Sequence, residues 1–213
     1  ARFDEQLLCG VRFIAAGRTS LRFAAELRRG AQSLLKAELR YVMVARESLG
    51  PTPVPEGLRS ALQAFEDGQK MVELRVGAWG DLGADAQPIR QTVFVREQGI
   101  PAALEWDEAD PACTHAVAYN RLGQALGTGR LIEHVPGTAK IGRMAVLPAL
   151  RGTGVGAQVL EGLMQSARSQ GYRQVLLHAQ ASAVGFYRRA GFVPRGAAFE
   201  EAGIEHQEMV KGL

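Results

Sequence analysis

The stretch Ile141-Gly142-Arg143-Met144-Ala145-Val146-Leu147-Pro148-Ala149-Leu150-Arg151-Gly152-Thr153-Gly154-Val155-Gly156-Ala157 runs from a strand pattern through three alternating glycines into a helix. Val155, Val159, Leu163 and Ala167 mark the apolar side of that helix. Glycines carry no Cβ, so successive backbone N–H groups can converge on one point. The helix start adds unpaired donors and the positive end of a dipole. Together they suit a diphosphate. A P-loop is excluded, because no Lys-Ser/Thr pair follows the glycines. Gly152, Gly154 and Ala157 do match the G-x-G-x-x-G/A dinucleotide fingerprint. That motif normally opens the first strand–helix turn and is followed by a carboxylate on the next strand. Here it comes late, and the next strand ends His178-Ala179-Gln180.

Working outward, residues 71–213 read β-α-β-β-β-α-β-α-β-β, the order of an α/β domain with a mixed sheet. The patterns predict a strand at 71–76 and a helix over 84–98, then strands at 115–119, 125–134 and 140–147. A long helix over 154–170, a strand at 174–180 and a short helix over 183–190 follow, with two short strands closing the chain. In residues 1–70, Leu27, Ala31, Leu34, Leu35, Leu39 and Val42 fall at helical spacing. Gly50, Pro51, Pro53 and Pro55 then stop the helix, and a shorter helix follows over Leu58, Ala61, Leu62 and Phe65. Leu8–Ala15 reads as a short strand or an irregular lead-in. This segment is expected to be a mostly helical accessory element, a packing or dimerisation arm.

The chain has 213 residues, 46% of them hydrophobic and 22% charged, which is the balance of a globular protein. No stretch approaches the about 18 uninterrupted apolar residues of a membrane span. Arg2, Asp4 and Glu5 stand where the apolar run of a signal peptide would begin. Cys9 and Cys113 have no metal or redox spacing, so no metal is expected and a reducing cytoplasm is. Net charge is +3, all of it arising in residues 1–70, which hold 11 Lys/Arg against 8 Asp/Glu. Those basic residues lack interleaved aromatics, so nucleic acid is not the expected partner.

Arg151-x-x-Gly154-x-Gly156 resembles the Q/R-x-x-G-x-G/A motif of the GCN5-related N-acetyltransferase (GNAT) superfamily. Ala183-Val184-Gly185-Phe186-Tyr187-Arg188-Arg189-Ala190-Gly191-Phe192 is similar to the family's A-x-x-F-Y-x-x-x-G-F, one strand further on. The element order of residues 71–213 also follows the family, whose sheet is mixed but mostly antiparallel and flanked by helices. Val93–Pro101, the acidic run Glu105–Asp110, His115 and Gly203-Ile204-Glu205-His206 resemble the subgroup typified by ElaA and YjcF. The Phe-Val-x-Glu-Gln element is also similar to acyl-homoserine-lactone synthases.

The resemblance implies that acetyl-CoA binds between the strands at 141–147 and 174–180. Its pantetheine would pair with Met144, Ala145 and Val146. The pyrophosphate would rest on N–H groups of Gly152, Thr153, Gly154, Val155, Gly156 and Ala157, with Arg151 opening the loop. Phe186 would pack on the acyl or pantetheine region, and Tyr187 would protonate the departing thiolate. The reaction so implied is direct attack of a primary amine on the thioester. A base for the amine is expected among Glu97, His178, His115 and Glu133, with His206 a further candidate. Glu105, Asp107, Glu108 and Asp110, around Trp106, read either as a solvated loop or as an attractor for a cationic amine. Two other functions fit the same residues: transfer of a longer acyl chain from CoA or acyl carrier protein, and non-catalytic acyl-CoA sensing.

Overall fold

The computed structural model describes residues 2–213, which fall into two compact units meeting at residues 71 and 72.

The first unit corrects the expectation of a helical segment. It is a three-stranded antiparallel sheet, β1 (Leu8–Ala16), β2 (Ser20–Arg29) and β3 (Gln32–Val42), followed by one helix, α1 (Glu56–Glu66). The helical spacing over 27–42 is broken by Gly30, whose φ of +53° makes the turn of the β2–β3 hairpin. Across that hairpin Leu27 faces Leu35, Phe23 faces Leu39 and Leu21 faces Tyr41. Apolar residues at 35, 37 and 39 satisfy a period of two as well as they satisfy a helix, and cross-strand pairing selects the strand. α1 forms where its apolar spacing predicts it, with Leu58 and Leu62 against Phe13, Leu21 and Val54. Two polar ties hold it to β1: Glu66 accepts the Phe13 N–H at 2.7 Å, and Arg59 donates to the Ala16 carbonyl at 2.9 Å.

The second unit begins with β4 (Val72–Ala78) and α2 (Trp79–Arg90), which runs on through a wider i→i+5 turn over Gln91–Glu97. The helix expected over 84–98 thus starts earlier and ends in a π-type segment. Then come the short α3 (Ala102–Glu105), β5 (Thr114–Asn120), β6 (Ala125–Val135), β7 (Thr138–Val146) and α4 (Val155–Ser169). β8 (Gln174–Gln180), α5 (Val184–Arg189), β9 (Val193–Pro194), β10 (Phe199–Glu201) and β11 (Ile204–Gly212) complete it. The sheet order is β10-β11-β8-β7-β6-β5-β4, with β9 beside β11. Every pairing is antiparallel except β7 with β8. This is a mixed, mostly antiparallel sheet flanked by helices.

Alternation along β5 explains the two covered faces. Ala116 and Ala118 join the core under α4, while Val117 and Tyr119 pack with Leu82 and Ala86 of α2. α4 presents Val159, Leu163, Met164 and Ala167 to the first face. It sits close over β6 because Gly129 has no side chain there: a Cβ would stand 2.9 Å from Leu163 Cδ1 and 3.2 Å from Val159 Cγ1.

A second glycine yields a prediction opposed to helix propensity. Gly83 lies inside α2, where alanine is ordinarily favoured by about 1 kcal/mol. A Cβ there would meet the Trp79 indole at 2.7 Å. That ring is wedged between His115, 4.7 Å away, and the Arg90 guanidinium, 5.5 Å away. Gly83→Ala is therefore expected to lower stability, by about 1–3 kcal/mol of overpacking less the propensity gain. A raised thermal midpoint would overturn this.

Candidate active site

β7 and β8 run parallel for only three residue pairs, Thr138–Gln174, Ala139–Val175 and Lys140–Leu176, and then diverge. β7 carries a bulge in the same region. Between the pairs Thr128–Ala145 and Arg130–Gly142 it spends one residue more than β6, and Arg143 takes a φ of +51°. A bulge twists a strand and re-aims its side chains. The divergence opens a cleft of about 420 Å³ lined by residues 140–144 of β7, His178 and Gln180 of β8, and Tyr187 of α5. Phe94, Gln98, Ile100, Leu104 and Glu105 close one side; Glu201 and His206 stand on another.

Beyond the end of β7, Gly152 and Gly154 take φ values of +80° and +91°, with open space around where a Cβ would lie. Gly154 is the N-cap of α4 and no side chain caps that helix. Its bonding ladder opens with Gln158 N–H to the Gly154 carbonyl, so the amides of Val155, Gly156 and Ala157 are the orphan donors of a helix start, while Thr153 N–H reaches the Leu150 carbonyl at 3.4 Å. Gly156 faces Phe186, whose ring edge would be 3.7 Å from a Cβ. The loop, the uncapped helix end and the opened strand edge suit a long ligand with a diphosphate at one end.

Arg151 is occupied within the protein. Both terminal nitrogens bind the Glu97 carboxylate at 2.6 Å, and Nε donates to the Val146 carbonyl at 3.2 Å. The guanidinium holds the Glu97 carboxyl below its usual range. Glu97 is therefore a strut between the π-type turn and the glycine loop, and it does not line the cleft.

Tyr187 is buried, in edge-on contact with Phe186 at 4.9 Å and Phe192 at 5.9 Å. Its hydroxyl has no hydrogen-bond partner among the described residues, and the side chain lines the cleft. Burial pushes the phenol well up, so it stays protonated across the neutral range. His178 lines the cleft from β8. Its Nδ1 lies 3.0 Å from Glu201 Oε2 and 3.3 Å from Lys140 Nζ, and its ring meets Phe199 edge-on. His206 also lines the cleft, with Nδ1 held by the Ile204 carbonyl at 2.8 Å.

The other candidates fall elsewhere. His115 is 1% exposed, bonded to the Asp110 carbonyl at 2.9 Å and packed on Trp79, away from the cleft. Burial lowers its proton affinity, which suits a neutral packing residue. Glu133 is exposed near the far end of β6 and lines nothing here. Of the acidic run, Glu105, Asp107 and Asp110 are bound to arginines, and only Glu108 keeps the solvated character expected of a loop. Arg90 binds Glu105 and Asp110, Arg130 binds Asp107 and Asp110, and Arg143 binds Glu105 and Asp107. Lys140 and Glu201 enter the site without a motif. Lys140 alternates with buried Ala139 and Ile141, which was the available signal that it faces the other side of the sheet.

The arginine network makes an acid-range prediction. Asp107 is held at about 2, against an ordinary 3.8, chiefly by its hydrogen bond from Arg130. A carboxyl lowered on folding contributes stability above its unfolded pKa and loses it as pH falls through the folded one. Asp107→Asn should therefore flatten the fall in unfolding midpoint between about pH 4 and pH 2. An unchanged slope would show that Asp107 does not couple to folding.

The matching family model is the acetyltransferase (GNAT) domain, aligned to residues 84–213. The chain belongs to that family, and it is an acyltransferase. The uncharacterized N-acetyltransferase YjcF of Bacillus subtilis is 37% identical over 128 residues, 60% of this chain and 90% of that one. An acyl-CoA N-acyltransferase from Pseudomonas aeruginosa matches with a TM-score of 0.59 at 32% identity, over 66% of this chain and 99% of its own. Escherichia coli ElaA matches with a TM-score of 0.60 at 26% identity, over 66% and 99%. Among the described residues no helix is long and apolar enough to cross a membrane.

Proposed function

We propose that the chain transfers an acetyl group from acetyl-CoA to a primary amine, by direct attack within a ternary complex. The observation that carries this reading is the early end of the β7–β8 pairing. It leaves a strand edge exposed between an uncapped helix start and an unpartnered tyrosine hydroxyl. Amides of residues 152–157, orphaned apart from that of Thr153, would hold the diphosphate, and edge amides of Met144–Val146 would hold the pantetheine arm. Phe186 would flank it.

His178 is the base best placed for the amine. With Nδ1–H donated to Glu201, Nε2, which has Glu208 Oε2 4.0 Å away, would carry the lone pair that accepts the amine proton, directly or through a water. The amine nitrogen then bonds to the thioester carbon, and the C–S bond breaks. Tyr187 delivers its phenolic proton to the leaving sulfur. Edge amides of β7 would stabilise the negative charge that develops on the carbonyl oxygen.

Thermal unfolding with saturating acetyl-CoA, CoA or NAD tests the donor. Ligand at about 100 times its dissociation constant adds about 2.7 kcal/mol. The midpoint should rise with either CoA species and stay put with NAD. Thiol release against an amine panel then tests transfer. No rise with either CoA species would sink the reading.

A further inference from the structure

We propose that the amine acetylated here is carried on an apolar body with no second charge, and that Leu104 is the residue that reads this body. This rests on the transferase reading above and names the acceptor class for the same site.

The charges lining the cleft cancel. Among the described residues, Lys140 and Arg143 stand against Glu105 and Glu201. Arg143 Nε lies 3.2 Å from the Glu105 carboxylate. With His178 neutral, as a base must be, Lys140 Nζ and Glu201 Oε2 flank its Nδ1 at 3.3 Å and 3.0 Å, and their opposite charges offset each other. His206 spends its Nδ1–H on the Ile204 carbonyl. A second ammonium or a carboxylate on the acceptor would leave water only to compete with a partner already in place.

What the cleft has to spare is apolar surface. In the run Ile100-Pro101-Ala102-Ala103-Leu104 every side chain is apolar and none is buried. Ile100 and Leu104 line the cleft beside Phe94, and Leu104 is 58% exposed. A solitary surface leucine needs no explanation, but the backbone of this one is tied down. Arg143 Nη2 donates to its carbonyl at 3.2 Å, and the next residue, Glu105, is 2% exposed and bound by Arg90. The apolar side is therefore preformed, in the same cleft as the histidine that takes the amine proton. A hydrocarbon body laid against it leaves water there, and each methylene so buried adds up to about fourfold in binding.

The test uses the full chain, acetyl-CoA and chain-matched amines: hexylamine, its ω-amino analogue and its ω-carboxylate analogue, with butylamine as a shorter control. Their amino groups are close in basicity, so kcat/KM from thiol release compares recognition directly. Hexylamine should exceed each charged analogue by about tenfold or more, and butylamine by about fourfold or more. Leu104→Asn should bring the first ratio close to one, and Leu104→Met should preserve it. A charged analogue at or above hexylamine would overturn the proposal, as would a Leu104→Asn variant that lowers all the amines equally. So would a Leu104→Asn variant that alters the choice between hexanoyl-CoA and acetyl-CoA but not the choice among amines, because the apolar side would then belong to the acyl chain. Should acetyl-CoA raise the midpoint without thiol release from any amine, the same amines are compared by further thermal shift with CoA bound. Absence of a hexylamine-specific, Leu104-dependent shift then overturns it. Failure of the transferase reading shows separately, as no response to acetyl-CoA itself.

Discussion

Tyr187→Phe is expected to lower kcat for acetyl transfer by about 10²–10⁴, the usual contribution of a positioned acid, while leaving the fold intact. The substitution removes one oxygen from a ring packed between Phe186 and Phe192. That oxygen has no partner among the described residues, so no internal hydrogen bond is lost and the unfolding midpoint should hardly move. Burial raises the phenol's pKa, which makes it a weak acid in isolation. The same apolar surroundings raise the proton affinity of the departing thiolate, so donor and acceptor shift together. Acetyl-CoA should still raise the midpoint of the variant, because the glycine loop and the β7 edge are untouched. A kcat within a few-fold of the parent would show that solvent protonates the thiolate and that Tyr187 only packs.

The second large effect is on stability. Arg90 is 1% exposed and sits in the middle of the arginine–carboxylate network. Its Nη1 donates to both Asp110 oxygens at 2.9 Å, its Nη2 to the Glu105 carbonyl at 2.9 Å, and its Nε to the Glu105 carboxylate. Trp106 covers its face at 4.8 Å. Arg90→Met keeps much of the volume and removes every one of these bonds. Breaking a buried pair by deleting one partner costs about 3–5 kcal/mol, because the remaining charge is left desolvated. Burial already pushes the Glu105 carboxyl up against the arginines that hold it down. Adding Glu105→Leu should recover part of the loss by removing that stranded charge. Urea unfolding of the single and double variants measures both. A single variant within about 1 kcal/mol of the parent would mean that Arg130 and Arg143 suffice. The network also fixes Leu104 and Glu105 on the wall of the cleft, so the variant should lose acceptor affinity before it unfolds.

Much of the second unit is legible in the sequence because its signals are local. The strand at 174–180 and the helix from 155 follow from an apolar run and from glycine boundaries, and both stand within a residue of where they are expected. The hairpin over 20–42 is not legible in that way. Leu27, Leu35 and Leu39 fit two periodicities, and the choice lies in hydrogen bonds to β1 and β2 that a window along one strand does not contain. Similarly, no local pattern separates the i→i+5 turn over Gln91–Glu97 from ordinary helix. At the site, the glycine loop, Phe186 and Tyr187 stand out because a motif carries them. His115 and His178 are both strand histidines beside apolar neighbours, and only the sheet decides that one meets Trp79 and the other the cleft. The pairing of Glu97 with Arg151 spans 54 residues, and the three arginines that claim the acidic run come from three different elements.

The three residue pairs that join β7 to β8 also divide the sheet mechanically. On one side lie β4 to β7, pinned beneath α4; on the other lie β8, β9, β10 and β11. Few backbone bonds cross that seam, so local opening there should precede global unfolding. Hydrogen exchange would report it as an alternation along β7 beyond Lys140. Amides directed at β6 are protected by the ladder, whereas those directed at β8 exchange at the rate of the seam. A ligand that supplied acceptors to the second set would slow them selectively and act as a missing strand, joining the two halves into one cooperative unit.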